Sequence, residues 1–149
     1  MSNPGRPVVD VTGACACQAV SLHFSGAVLS MFLCACEDCQ RSTGTGHAAV
    51  VLARPRDVTV EGVTRSFARP ANSGATLTRH FCPDCGTPLY AQSSRAPGVM
   101  MLPAGLFGAS AEGWFRPGQV IFARSLRGWD TIAPELPRHA TYRDEGTLM

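Results

Sequence analysis

The seven cysteines of this 149-residue chain constrain it more than any other feature of its sequence. They fall into three groups: Cys15 and Cys17; Cys34, Cys36 and Cys39; Cys82 and Cys85. An odd number of thiols cannot all pair, and near neighbours in sequence form disulfides only with strain. Clustered thiolates are instead the ligands that a soft divalent ion such as zinc prefers. The grouping therefore predicts metal binding.

Composition narrows the class of protein. Hydrophobic residues make up 45% of the chain and charged residues 16%, which is typical of a globular domain. The net charge of +2, from scattered basic residues, predicts neither a nucleic-acid nor a membrane partner. No apolar run reaches the ~18 residues of a membrane helix, and the N-terminus does not resemble a signal peptide. We expect a cytoplasmic protein with reduced thiols; nothing in the sequence indicates its oligomeric state.

Fifteen glycines and eleven prolines predict many turns between short strands. Apolar or alternating segments that we interpret as strands cover residues 11–17, 19–24, 28–35, 47–53, 57–62, 64–69, 76–81, 88–92, 99–104 and 120–123. One helical turn is expected at 37–42, and Asn72-Ser73-Gly74 is expected to form a hairpin turn. The predicted fold class is mainly β, as a single domain at 11–136 with a flexible arm at 1–10 and a polar tail at 137–149.

A zinc knuckle is indicated by Cys82-Pro83-Asp84-Cys85-Gly86, because the glycine permits the backbone to turn toward the sulfurs. Its partner pair is either Cys15 with Cys17 or Cys36 with Cys39. We favour the former, because the remaining three cysteines then stay together. Four thiolates close a structural zinc site, whereas three leave one position open for chemistry. The alternative is that all seven thiols are incidental.

A zinc ion held by three thiolates carries a formal charge of −1, so it activates water weakly and suits a soft thiolate as its fourth ligand. A thiol-containing substrate fits such a site, which makes Cys34, Cys36 and Cys39 the candidate catalytic residues. Three cationic or titratable residues adjoin the cysteines in sequence. Arg41 and Arg79 are candidates for holding a substrate carboxylate, and His80 is a candidate proton shuttle.

Several motifs carry a resemblance to a known family. They are Gly13-x-Cys15-x-Cys17, C-x-C-x-x-C-Q-R-S-x-G at 34–44, R-H-F-C-P-D-C-G-T-P-L at 79–89, W-F-R-P at 114–117 and I-F-x-R-S followed by Trp129. Together they resemble the glutathione-dependent formaldehyde-activating enzyme family over residues 12 to 130.

The resemblance implies a β-tent-like fold with two zinc ions per chain. It places the structural ligands at Cys15, Cys17, Cys82 and Cys85 and the catalytic ligands at Cys34, Cys36 and Cys39. It also implies a carbon–sulfur lyase that reversibly joins formaldehyde to glutathione as S-hydroxymethylglutathione. The competing interpretation is a non-catalytic, zinc-stabilised binding module of the same fold. A basic stripe with exposed aromatic residues would favour that module, and the sequence has none.

Ala35 departs from the family pattern, because members often carry histidine between the first two cysteines of the cluster. Without that imidazole we expect glutathione binding with weak or no acceleration of formaldehyde exchange, unless His80 substitutes for it. The sequence assigns no role to His23, His47 or His139. Trp129 could line the pocket or close the core, and we favour the core.

Overall fold

The computed structural model describes residues 6–71 and 73–142, and the predicted mainly-β class is confirmed. The strands are β1 Val8–Ala14, β2 Ser21–Ala27, β3 Ser30–Cys34, β4 Ala48–Ala53, β5 Val58–Glu61, β6 Arg65–Pro70, β7 Thr76–Phe81, β8 Pro88–Ser93, β9 Met100–Pro103 and β10 Val120–Ile121. One short α-helix, α1, spans Glu37–Thr43, and 3-10 turns occupy Pro55–Asp57, Ala104–Gly113 and Ala123–Ser125. Short strands separated by Gly- and Pro-rich turns produce this architecture.

The chain divides into two compact units, which we describe separately. The first comprises the described residues up to Ser30 together with Val51–Phe115. It contains the antiparallel sheet β1-β2-β5 and the strands β9-β8-β7-β6, ordered as neighbours in a second sheet. Strand β6 lies at the edge of that sheet, where Phe67 is exposed between two arginines, Arg65 and Arg69. Charged side chains on an edge strand disfavour pairing with other chains.

Part of the first unit's core joins its two sheets. Val20 directly precedes β2, and Val60 lies in β5. Both pack with Leu89 of β8 and with the side chains of Cys15 and Cys82. Beside this cluster, β1 approaches the Ala104–Gly113 segment very closely. A Cβ at Gly13 would lie 2.5 Å from the backbone carbonyl oxygen of Leu106. The glycine that opens the G-x-C-x-C motif is therefore required by packing.

The second unit comprises Met31–Val50 and the described residues from Arg116 onward. Its central strand is β3, with β10 paired to it in parallel on one side and β4 adjacent on the other. The backbone N–H of Leu33 donates to Gln119 O, and that of Ala35 donates to Ile121 O, each at 3.0 Å. These bonds extend the pairing past the end of β3, where the chain enters the cysteine cluster.

The predicted strands agree with the structure to within a few residues, and two differences matter. Strand β1 already begins at Val8, where it pairs with Ala27, because the β1–β2 register continues to the end of β2. Residues 137–141 hydrogen-bond to the backbone of residues 120–123. The domain limits at residues 10 and 136 stay predictions. The hairpin turn includes Asn72, which lies outside the described residues, as do 1–5 of the arm and 143–149 of the tail.

Among the described residues, no helix combines the length and the apolar character that crossing a bilayer requires. Trp129 is 70% exposed, so the expectation that it closes the core is wrong. The neighbouring side chains explain this. Arg127 and Asp130 tie the loop to α1 and the turn after it through polar contacts, and these contacts leave the intervening indole at the surface.

Candidate metal centres

The structure brings four sulfurs together in the first unit. Their ligand atoms all lie within 4.8 Å of one another, and they belong to Cys15, Cys17, Cys82 and Cys85. The sulfur of Cys17 lies 3.7 Å from that of Cys15 and 3.7 Å from that of Cys82. A zinc ion with four sulfurs at about 2.3 Å separates them by about 3.8 Å. The observed spacing therefore fits a tetrahedral zinc site.

Two turns present these four sulfurs. The first follows β1, and the N–H of Gln18 donates to Cys15 O at 2.9 Å. The second joins β7 to β8, and the N–H of Gly86 donates to Cys82 O at 2.9 Å. Both turns place the residue after the second cysteine at positive φ, 65° for Gln18 and 77° for Gly86. Glycine adopts that conformation without strain, and a residue with a side chain does so at a cost.

Backbone and hydroxyl groups stabilise negative charge on these sulfurs. The N–H of Val20 donates to Cys15 Sγ at 3.3 Å, and the N–H of Asp84 donates to Cys82 Sγ at 3.4 Å. The Thr87 hydroxyl lies 3.2 Å from Cys85 Sγ and, with the backbone N–H groups of Thr87 and Cys17, lowers the pKa of Cys85 to about 5.

The pKa of Cys17 is instead raised, because other sulfurs lie close to its thiol. The backbone N–H of Ala19 lowers the pKa of Cys17, but desolvation and the three neighbouring sulfurs outweigh it and raise that pKa to about 12. In the metal-free protein one thiol of the group therefore keeps its proton while a neighbour ionises. A bound cation would replace that proton, because metal ligands must be thiolates.

The second unit holds a three-sulfur centre. The sulfurs of Cys34, Cys36 and Cys39 lie within 4.8 Å of one another, and all three residues are buried. Cys34 ends β3, Cys36 is the N-cap of α1, and Cys39 lies in the middle of that helix. A strand end followed directly by a helix start brings the three close together. The structure thus groups the cysteines as four and three.

The helix start stabilises charge on Cys36. Its sulfur accepts the backbone N–H of Cys39 at 3.3 Å, as an N-cap side chain does. Hydrogen bonds from Cys34 and Cys39, reinforced by the backbone N–H groups of Cys39 and Asp38, lower the pKa of Cys36 to about 2. The pKa of Cys34 is raised, chiefly by the neighbouring sulfurs of Cys36 and Cys39 and by burial. Without a metal, the centre therefore favours a thiolate on Cys36 that accepts hydrogen bonds from the neighbouring thiols.

A loop at residues 125–127 hydrogen-bonds to side chains of α1. Gln40 Nε2 donates to Ala35 O at 2.8 Å and to Ser125 O at 3.0 Å. Arg127 donates to Gln40 Oε1 at 3.0 Å and to Glu37 at 3.2 Å. Gln40 thereby connects the cysteine loop, at Ala35, to residues 125–127. We call Gln40, Arg127 and Glu37 the helix clamp.

The other candidate residues lie on separate elements. His80 lies on β7, stacked on Tyr90 at 4.2 Å between ring centroids. Its Nδ1 is buried and has no hydrogen-bond partner among the described residues, and desolvation lowers the pKa of His80. Arg79 precedes it, opposite Phe67 and Ala91 in the sheet. Arg41, on α1, has a side chain 77% exposed and lies 4.0 Å from Glu37.

The sequence analysis missed one polar pair in the second unit. His47 Nδ1 lies 2.7 Å from Asp130 Oδ2, and their side chains are only 25% and 12% exposed. The two residues are 83 positions apart, so no local spacing reveals the pair. The only signal available in the sequence was a histidine at the entrance of a buried strand soon after the cysteine cluster.

Comparison with known proteins agrees with this arrangement. A profile of the glutathione-dependent formaldehyde-activating enzymes matches residues 10–125, a range that includes all seven cysteines. The chain belongs to this family. Among proteins with curated functions, none matches the chain in sequence.

The fold also occurs among solved structures. A crystal structure of a Rhodobacter sphaeroides protein superimposes with a TM-score of 0.53 at 21% identity. The match covers 66% of this chain and 88% of that one. At this identity the likeness concerns the fold alone.

Proposed function

We propose that this protein is a zinc-dependent carbon–sulfur lyase, which forms or cleaves the bond between a thiol such as glutathione and the carbon of an aldehyde such as formaldehyde. The observation that carries the proposal is the buried three-sulfur centre of Cys34, Cys36 and Cys39. Three thiolates would fill three of the four coordination positions that zinc prefers and leave one for a substrate. Membership of the formaldehyde-activating family supports the choice of thiol and aldehyde.

The two centres differ in the number of coordination positions that they would leave open on a bound zinc ion. The four-sulfur centre would hold a structural zinc, because its ligand set is complete. The three-sulfur centre would hold the catalytic zinc, which supplies a position where a substrate thiol is held as thiolate near neutral pH. In both centres a backbone N–H donates to a cysteine sulfur, which stabilises the thiolate form that zinc requires.

The chain's own residues would orient the substrate. We assign a carboxylate of a glutathione-like thiol to Arg41, on the helix of the three-sulfur centre, because a guanidinium group binds a carboxylate through paired hydrogen bonds. The same role for Arg79 stays a prediction from the sequence. Arg41 is well exposed for that role. The role of His80 as a proton shuttle stays a prediction from the sequence; its lowered pKa keeps the imidazole neutral.

The test is exchange spectroscopy of formaldehyde with glutathione by two-dimensional NMR, using zinc-loaded protein whose metal content is measured in the same sample. We expect two zinc ions per chain and exchange faster than in protein-free solution. Cys36→Ser should remove one zinc and the acceleration together. Exchange at the solution rate with both centres filled would refute the lyase and favour the binding-module interpretation.

A further inference from the structure

The half-buried pair of His47 and Asp130 belongs to neither group of sulfur ligands. Asp130 approaches so closely that a Cβ at Gly46 would overlap its carboxylate. His47 is further fixed through its backbone, since the Thr45 hydroxyl donates to His47 O at 2.8 Å. The carboxylate on Nδ1 selects the tautomer that carries its proton there, which leaves Nε2 as an acceptor.

The neighbouring strands β3 and β4 relate this histidine to the three-sulfur centre. Strands β3 and β4 are neighbours, and the N–H of Leu29 donates to Leu52 O at 2.8 Å. That bond pairs the start of β3 with the end of β4, so the two strands are antiparallel. Continued for five residues from that bond, the same register would bring Cys34, the last residue of β3, to the level of His47, which directly precedes β4. Side chains that lie opposite each other in a ladder project from the same face, with Cβ atoms about 5 Å apart.

His47 is not one of the grouped ligands, although the extended register brings it to the level of Cys34. The set of ligand atoms that lie within 4.8 Å of one another contains the three sulfurs and no imidazole nitrogen. An imidazole next to a ligand position, with a carboxylate on its far nitrogen, has the arrangement of a general acid–base group.

We propose that His47 carries the proton in the lyase reaction and that Asp130 positions it, an inference that rests on the proposed function. In the forward direction Nε2 accepts the thiol proton, and the sulfur lone pair forms the bond to the aldehyde carbon. The C=O π bond breaks, and its electron pair on oxygen takes the proton back from Nε2. One thiol and one aldehyde give one hydroxymethyl thioether, and the imidazole returns to its starting state.

This role replaces the one that Ala35 leaves vacant. A histidine across the strand ladder from Cys34 can serve the site that a histidine adjacent to it in sequence would serve. On this proposal wild type accelerates exchange despite Ala35, and Ala35→His should raise the rate little; weak wild-type exchange stays the competing prediction.

The experiment compares formaldehyde–glutathione exchange by NMR in zinc-loaded wild type, His47→Gln, His47→Ala and Asp130→Asn. We expect His47→Gln to lower the rate about a hundredfold or more and Asp130→Asn to lower it about tenfold or more, with two zinc ions retained in each. Added imidazole should restore part of the rate to His47→Ala, an effect that a structural role would not produce. His23→Gln is the matched control, because it removes the exposed histidine–carboxylate pair of β1 and β2.

Ring ¹H–¹⁵N spectra test the same inference without turnover. The proton of His47 should reside on Nδ1, and its Nε2 resonance should shift when glutathione is added to zinc-loaded protein. Accelerated exchange in wild type that persists in His47→Gln, or an unshifted Nε2 signal, overturns the role of His47 while the lyase stands. Wild-type exchange no faster than in solution overturns the lyase, whatever the His47 variants do.

Discussion

At the residue scale, Gln18 holds the backbone conformation that glycine holds in the other knuckle. Its φ of 65° follows directly after Cys17, just as the positive φ of Gly86 follows Cys85. Left-handed backbone costs a non-glycine residue of the order of 1 kcal/mol. Gln18→Gly should therefore stabilise the zinc-loaded protein by about 1 kcal/mol in denaturant unfolding, less the greater entropy of glycine in the unfolded chain.

The matched variant is Gln18→Ala, which keeps a Cβ at the same position. It should give no such gain, because the strain arises from the Cβ and not from the length of the side chain. A gain of equal size from both variants would show that the amide, and not the backbone, is the source of the cost.

The two exposed thiols of the four-sulfur centre should react very differently once metal is removed. Cys85, with its pKa lowered to about 5, is mostly thiolate at pH 6, whereas Cys17, with its pKa raised to about 12, is a thiol. Only thiolates react appreciably with iodoacetamide. Mass spectrometry after a short pulse at pH 6 should find Cys85 alkylated before Cys17, and zinc should protect both. Preferential labelling of Cys17 would contradict this charge assignment.

At the element scale, α1 depends on contacts that it cannot make alone. A seven-residue helix is marginal by itself, and the helix clamp supplies its tertiary support. Gln40→Leu leaves the carbonyls of Ala35 and Ser125 without their donor. We expect zinc in the three-sulfur centre to bind 10- to 100-fold more weakly, because groups that orient ligands contribute about that much to affinity. Competition with a chromophoric chelator measures the change.

The control for this prediction is Arg41→Met on the same helix, whose exposed side chain makes only a 4.0 Å ion pair with Glu37. Zinc affinity should stay within about twofold of wild type, since an exposed pair contributes little. Equal losses in Gln40→Leu and Arg41→Met would mean that helix charge, and not the clamp, governs the centre.

The elements were largely predictable because their signals are local. Alternating apolar residues and Gly- or Pro-containing turns act over a few positions, and ligand spacing does the same for the cysteines. The contacts that complete the three-sulfur centre are not local. Arg127 reaches Glu37 across 90 positions, and Asp130 reaches His47 across 83. Such partners are chosen by the folded chain, so neither the clamp nor the histidine pair was visible in the sequence.

The misplacement of Trp129 has the same origin. A large aromatic side chain is usually mostly buried, which made the core the natural expectation. The loop that carries it is held by the charged side chains on either side of it, and their partners on α1 and at His47 decide its direction. Composition alone could not reveal that polar contacts outweigh the burial of one indole here.

At the scale of the whole molecule, each compact unit has its own sulfur centre, and the two are built differently. The four-sulfur centre joins two turns far apart in sequence, and two of its cysteines are part of the first unit's hydrophobic core. The three-sulfur centre is contained within six residues and closes no long loop. A metal that cross-links distant segments contributes to folding far more than one bound by a single turn.

Serine substitutions at the two centres should therefore have unequal effects. Cys85→Ser breaks the ligand set that ties the β7–β8 turn to the turn after β1, and it leaves the buried thiols of Cys15 and Cys82 without a complete site. We expect this protein to unfold or aggregate, with zinc lost from the four-sulfur centre. Cys36→Ser should stay folded, with one zinc fewer and a melting temperature close to that of wild type. Circular dichroism melts with metal analysis on the same samples compare the two variants. Equal loss of stability would mean that the three-sulfur centre also holds the fold together, which would remove the distinction between a structural and a catalytic metal.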